Sequence, residues 1–211
     1  MILRSGANRG EAASIKSQRK KNRQEKLLKL IDQNPLATDE QLAEAFSVSV
    51  STIRLDRALL GVPELRERMK SMAQKATSRL RSLKQSEVVG DLLELEPNRW
   101  ALSVLDTRRE MAFRDTDIVW DHYIYAQASS IAIAVVEADF VLVDSMRGEF
   151  KGHARVGDSL VARAKVGVHK EDKYIVSVRT KVGDREVFVG RFIAAVMEKG
   201  SFEESREVSS V

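Results

Sequence analysis

The sequence predicts an α+β protein: an all-helical N-terminal module, a long amphipathic helix, and a C-terminal antiparallel sheet around one central helix. Three observations carry this reading. Apolar residues recur at helical spacing from Leu27 to Leu83. The uncharged run His122–Val136 is apolar nearly all round and rich in Ala and Ser, as a helix wrapped on several sides would be. Strand-like segments follow it, from Phe140 to Val196. The parts are set at residues 1–61, 62–84 and 85–198, with a polar tail over 199–211.

Charge divides the chain along the same lines. Residues 1–84 hold 18 basic and 9 acidic side chains, and residues 85–211 hold 17 and 22. The difference is +9 in the first part and −5 in the second, which together give the net +4. A basic module that meets a polyanion, joined to a module with another task, fits this split. There is no Cys, and the 3 His are scattered, so disulfides, thiolate chemistry and a structural metal site are not expected. The run of 15 uncharged residues is too short to span a bilayer. Arg4 and Arg9 have no apolar segment behind them. A cytosolic protein without membrane contact is therefore expected.

The first helix begins in a basic stretch, residues 14–26, and acquires an apolar stripe at Leu27, Leu28, Leu30 and Ile31 that ends before Pro35. Thr38-Asp39-Glu40-Gln41 is a capping box, with Thr38 as the cap and Gln41 at the third helical position. Leu42, Ala43 and Phe46 would face inward from the short helix it opens. Ser49 can cap a third helix from Val50 to about Leu60, closed by Gly61 and Pro63. Two short helices joined by a tight turn, packed through Ala43, Val48 and Ile53, form a helix-turn-helix.

Such a module is expected to place its second helix in the major groove of double-stranded DNA. Ser49, Ser51, Thr52, Arg54 and Arg57 are the expected contacts there, because short hydroxyls and long guanidiniums suit phosphates and base edges. Arg19, Lys20, Lys21 and Arg23 of the arm are expected at the backbone or minor groove. The alternative is a helical hairpin with a solvated charged face.

Pro63 and Glu64 suit the start of a helix. Leu65, Met69, Met72, Ala76, Leu80 and Leu83 then give one apolar stripe. This helix is either fixed in a core or a mobile linker that transmits a signal. In the acidic part, Val89–Leu95 and Trp100–Leu105 are strand candidates joined by a turn at Pro97-Asn98. After the buried helix come Phe140–Asp144 with a continuation near Arg147–Lys151, then Ser159–Val168, Tyr174–Val182 and Glu186–Val196. Gly183-Asp184 reads as a hairpin turn. Asp121 suits the cap of the central helix.

The segment Val48-Ser49-Val50-Ser51-Thr52-Ile53-Arg54-Leu55-Asp56-Arg57 resembles the recognition helix of DeoR-type repressors. Their usual form is VS, two free residues, then TIRRDL. Here Leu55 replaces the second Arg, and Ser47 stands where the turn usually has Gly. Strands around a buried helix, with Ala154-Arg155-Val156-Gly157-Asp158 leading into a long strand, resemble a hotdog fold.

From about Gln18 to Val196 the chain resembles the FapR family of bacterial repressors of fatty-acid and phospholipid biosynthesis. The motifs that carry this are Thr38–Ala43, Thr52–Arg57, Val62-Pro63-Glu64-Leu65-Arg66-Glu67-Arg68, Ala126–Val135 and Val182–Phe192. The resemblance implies a winged-helix or helix-turn-helix module, a homodimer through the hotdog domain, an inverted-repeat operator, and release by malonyl-CoA or another acyl-CoA as effector, with no cofactor. It implies an acyl site at Phe113, Arg114, Trp120, His122 and Ser129. Trp120 stands where the family has the Arg that meets the malonyl carboxylate, Asp121 where it has Gly, and Ser129 where it has Asn. A carboxylate in a partly dry pocket needs a cation or several donors, and Trp120 offers one N–H. Either Arg114, Arg109 or His122 substitutes, or another acyl-CoA is sensed. An acyl-CoA thioesterase or dehydratase-like enzyme is the alternative; it would need Asp121 and His122 as an acid–base pair. Catalytic residues are not expected.

Overall fold

The structure is a computed structural model. It describes the backbone of residues 7–198 and side chains from residue 17 onward. The polar tail expected over 199–211 lies outside the described residues. The chain forms two compact units, residues 1–71 and 72–211.

In the first unit, α1 spans Ala7–Gln33, α2 Asp39–Phe46 and α3 Val50–Leu60. The capping box at Thr38 forms as expected: Gln41 N donates to Thr38 Oγ1 at 3.2 Å, and Thr38 N to Gln41 Oε1 at 3.0 Å. Ser47 takes the left-handed conformation, φ 51°, that Gly would adopt more easily. Its N–H and that of Val48 close the end of α2 on Glu44 and Ala43 carbonyls. Ser49 Oγ accepts from Thr52 N and starts α3, and Gly61, φ 65°, ends it. Leu27, Ile31, Ala37, Leu42, Ala43 and Ile53 make the core. The described residues of this unit contain no strand, so the helix-turn-helix has no wing here.

The linker helix α4, Leu65–Thr77, is shorter than its stripe predicts. After Thr77 the backbone tightens into three-residue turns, Arg79 N to Ala76 O and Leu80 N to Thr77 O. Leu80 and Leu83 then pack beside the core of the second unit from irregular chain. The stripe continues in sequence but not as a helix, because chain that simply lies on a core also buries every third or fourth residue.

The second unit is one six-stranded antiparallel sheet, β1 Asp91–Glu96, β2 Trp100–Asp106, β3 Val141–Phe150, β4 Ser159–Lys170, β5 Lys173–Val182 and β6 Arg185–Val196, in the order β1-β2-β4-β5-β6-β3. The two segments read around Asp144 are one strand, β3, with an irregularity between Val143 and Ser145. The helix α5, Asp121–Ala134, lies against it through Ile124, Ala128 and Ile131, all fully buried with Phe188, Phe192 and Leu160. Gly148 and Gly190 face each other across β3 and β6. A Cβ on Gly190 would come within 2.8 Å of both the Phe188 and Phe192 rings, so glycine is required for these two aromatics to fill the core. Within Ala154–Asp158, Asp158 Oδ2 accepts from Arg155 N at 2.8 Å and Gly157 sits at φ 91°. That turn aims β4 into the sheet. This is the hotdog architecture the sequence predicts.

Candidate functional site

On the first unit, α1, α2 and α3 are tied by two carboxylates. Asp39, in the first turn of α2, accepts from Arg57 Nε at 2.7 Å and Nη2 at 2.9 Å. Arg57 Nη1 also donates to the Val62 carbonyl at 3.2 Å. Arg54 Nε reaches the same carboxylate more loosely, at 3.3 Å. The bonds from Arg57 hold the Asp39 carboxyl below its usual range. Asp56 on α3 is 1% exposed and accepts from Arg23 Nε at 2.7 Å and Gln24 Nε2 at 2.8 Å. Burial pushes its carboxyl up, but the bonds from Arg23 and Gln24 outweigh that, and the net direction is down.

These pairs correct two expectations. Arg57 does not face outward: its side chain is 5% exposed and braces α3 against α2. Arg23 is partly buried and committed to Asp56. Each lies within reach of a carboxylate from a neighbouring helix, which position along its own helix does not reveal. Arg19, Lys20 and Lys21 are exposed on α1, as are Ser49, Ser51 and Arg54 at the other helices. Thr52 is half-buried, its hydroxyl 2.9 Å from Ser49 Oγ. Arg68, in the first turn of α4, is also buried. It donates to the carbonyls of Pro35, Pro63 and Ala37 at 3.0, 2.8 and 2.7 Å. That fan of bonds gives the Pro63–Arg68 motif its physical meaning: it clamps the start of α4 to the α1–α2 loop.

In the second unit a small backbone ladder precedes α5. Phe113 N donates to Ile118 O, Trp120 N to Met111 O and Val119 N to Ala154 O, each at 2.9 Å. The ladder sets Phe113 and Trp120 diagonally across from each other, and their rings stack at 4.6 Å with an interplanar angle of 11°. His122 meets Trp120 edge-on at 5.3 Å and Tyr123 at 4.2 Å. Phe113 and Trp120 stay 41% and 42% exposed. Thus three of the expected ligand residues come together. Arg114 is exposed in the turn beside Phe113, and Ser129 lies two turns beyond His122 on α5, half-buried. Arg109 donates to the Thr116 carbonyl of the same loop. The cap of α5 is Trp120, with Asp121 at the first helical position and not at the cap.

Gln127 of α5 is a further buried polar residue, outside the site residues expected from the sequence. It is fully buried and donates through Nε2 to Ser103 Oγ at 3.1 Å and Leu160 O at 3.0 Å, tying the helix to β2 and β4. A lone amide in an apolar run was the available signal. Among the described residues no cluster of His, Asp or Glu could hold a metal, and no helix is long and apolar enough to cross a membrane.

The model of the DeoR-like helix-turn-helix domain family matches residues 23–68. Transcription factor FapR of Thermoanaerobacter sp. (strain X514) is 43% identical over 180 residues, 85% of this chain and 90% of that protein. The Exiguobacterium sibiricum protein of the same name is 40% identical over 188 residues, 89% of this chain and 98% of that protein. The chain belongs to the FapR family of transcription factors. Among solved structures, a sigma28-regulated virulence protein from Campylobacter jejuni is 23% identical with a TM-score of 0.57, covering 63% of this chain and 94% of that one. The PaaI protein of the E. coli phenylacetic acid degradation operon is 12% identical with a TM-score of 0.50, covering 63% and 95%. These likenesses show the fold alone. In this FapR-family chain the helix-turn-helix is thus built on Asp39–Arg57 and Asp56–Arg23, with Lys20 and Lys21 of α1 exposed.

Proposed function

We propose that the protein is a cytoplasmic, homodimeric repressor of fatty-acid and phospholipid biosynthesis genes. It binds an inverted-repeat operator and is released by malonyl-CoA or another acyl-CoA held at the hotdog dimer. The observation that carries the reading is the joining of a helix-turn-helix unit to a hotdog unit across the span shared with FapR relatives. A dimer would set two recognition helices about one duplex turn, ~34 Å, or a multiple apart. The edge strand β3, with Leu142 and Phe150 exposed, offers a place for a second copy to pair.

The acyl end would lie at Phe113, Trp120, His122 and Ser129, with the nucleotide end outward, where its phosphates meet water or basic side chains. An exposed aromatic stack suits the reading better than an enzyme does. From Tyr123 to Ala134, α5 holds no Asp, Glu or His to activate water, and His122 is engaged with two aromatic rings. An acyl-CoA can release DNA only by binding unequally to two states of the protein. The helix α4, with Leu65, Met69 and Met72 half-buried, is the element that would pass that difference on. The test pairs two readings on one sample: operator binding by fluorescence anisotropy, and thioester integrity by chromatography. Release of DNA with the thioester intact supports the proposal. Turnover of the acyl-CoA without effect on DNA refutes it.

A further inference from the structure

Helix α3 turns outward a face that its charges do not suggest. At about 100° per residue, buried Ile53, Asp56 and Arg57 mark its inner side. Ser51, Leu55 and Ala58 lie opposite, with Arg54 on the flank toward Asp39 and Leu59 on the other. Leu55 and Leu59 are each 59% exposed. Hydroxyl and guanidinium donors sit at the N-terminal half of this face, at Ser51 and Arg54. With Arg57 committed inward, the C-terminal half carries only Leu55, Ala58 and Leu59. Whatever that half recognises must be recognised by apolar contact.

The major groove displays one apolar feature, the 5-methyl group of thymine. We propose that Leu55, flanked by Ala58 and Leu59, reads thymine methyl groups and so sets part of the operator preference. The face is continuous with the donors Ser51 and Arg54, and the exposed Arg19, Lys20 and Lys21 of α1 suit the phosphates that would hold the helix in register. The inference rests on reading the first unit as DNA-binding.

The full chain is used to select duplexes from a random pool, and each selected duplex is remade with deoxyuridine for thymidine, which removes the methyl alone. Wild type should bind the uridine duplex about fourfold more weakly for each thymine met, the worth of one buried methyl or methylene. In Leu55→Ala the two duplexes should bind within about twofold of each other, with the urea midpoint unchanged because the side chain is exposed. Equal binding of the two duplexes by wild type overturns the proposal, as does a penalty that survives in Leu55→Ala. A change in the sedimentation of Leu55→Ala, with the penalty intact, would assign Leu55 to a protein surface instead. Failure to select any duplex removes the DNA-binding reading and this inference together, whereas selection without a methyl effect removes this inference alone.

Discussion

Arg57→Met separates a brace from a DNA contact. The substitution keeps an unbranched stem comparable to that of Arg and removes every donor. It deletes the bonds to Asp39 at 2.7 and 2.9 Å and to the Val62 carbonyl at 3.2 Å. The Arg57 side chain is 5% exposed and that of Asp39 16%. Removing one partner of a fully buried pair costs ~3–5 kcal/mol, and the partial exposure of Asp39 brings the expected loss nearer ~2–3 kcal/mol. For a unit of this size that corresponds to a fall of roughly 10–20 °C in its melting temperature. The two units can be followed apart. Both tryptophans, Trp100 and Trp120, lie in the sheet-bearing unit, so their fluorescence reports that unit while far-UV circular dichroism reports mainly the helices. Only the dichroism transition should move. DNA affinity should fall with the loss of structure, and cooling should restore it with an unchanged salt slope. If Arg57→Met melts like wild type and lowers the salt slope by about 0.9 for each half-site occupied, Arg57 contacts phosphate and the assignment is wrong.

Four further outcomes are expected. Lys21→Ala should weaken binding to all duplexes alike and reduce the salt slope by about 0.9 for each half-site occupied, so by about 1.8 for a dimer, read from titrations at several salt concentrations. The carboxyls of Asp39 and Asp56 are held below their usual 3.8 in the folded chain, so the unfolded state binds more protons. The stability they contribute is present above that value and is lost as pH falls through the lower folded values, which urea melts of the helical unit at successive pH should show. Trp120→Arg should raise the preference for malonyl-CoA over acetyl-CoA in calorimetry by the ~1.5–3 kcal/mol of a charge-assisted pair; an unchanged ratio would move the acyl end elsewhere. Met72→Glu should leave DNA and acyl-CoA binding each intact but uncouple them, and a normal response to ligand would place the coupling outside α4.

The fold was legible because each device is local. Thr38 with Gln41, Ser49, Gly61 and the Gly183-Asp184 turn fix element ends by bonds within a few residues, and all lie where the sequence puts them. The long apolar run of α5 was legible because only a wrapped helix can be uncharged throughout. Long-range pairing was not legible. Arg23, Arg57 and Arg68 look like solvated charges in sequence, yet each finds oxygens supplied by another element 18 to 33 residues away. The end of α4 at Thr77 was hidden for a related reason, since the same three-and-four spacing continues through Leu80 and Leu83 after the helix stops. At the candidate acyl site the residue types were legible, but the Phe113–Trp120 stack depends on the ladder of Met111–Phe113 with Ile118–Trp120, whose register no local pattern announces.

The most direct test of the account is acyl-CoA titration into a complex of the full chain with its selected duplex, followed by anisotropy. The account predicts that malonyl-CoA or another acyl-CoA releases the DNA at saturating ligand while coenzyme A alone does not, and that the thioester is recovered intact. Binding of acyl-CoA in calorimetry with no change in DNA affinity would contradict it.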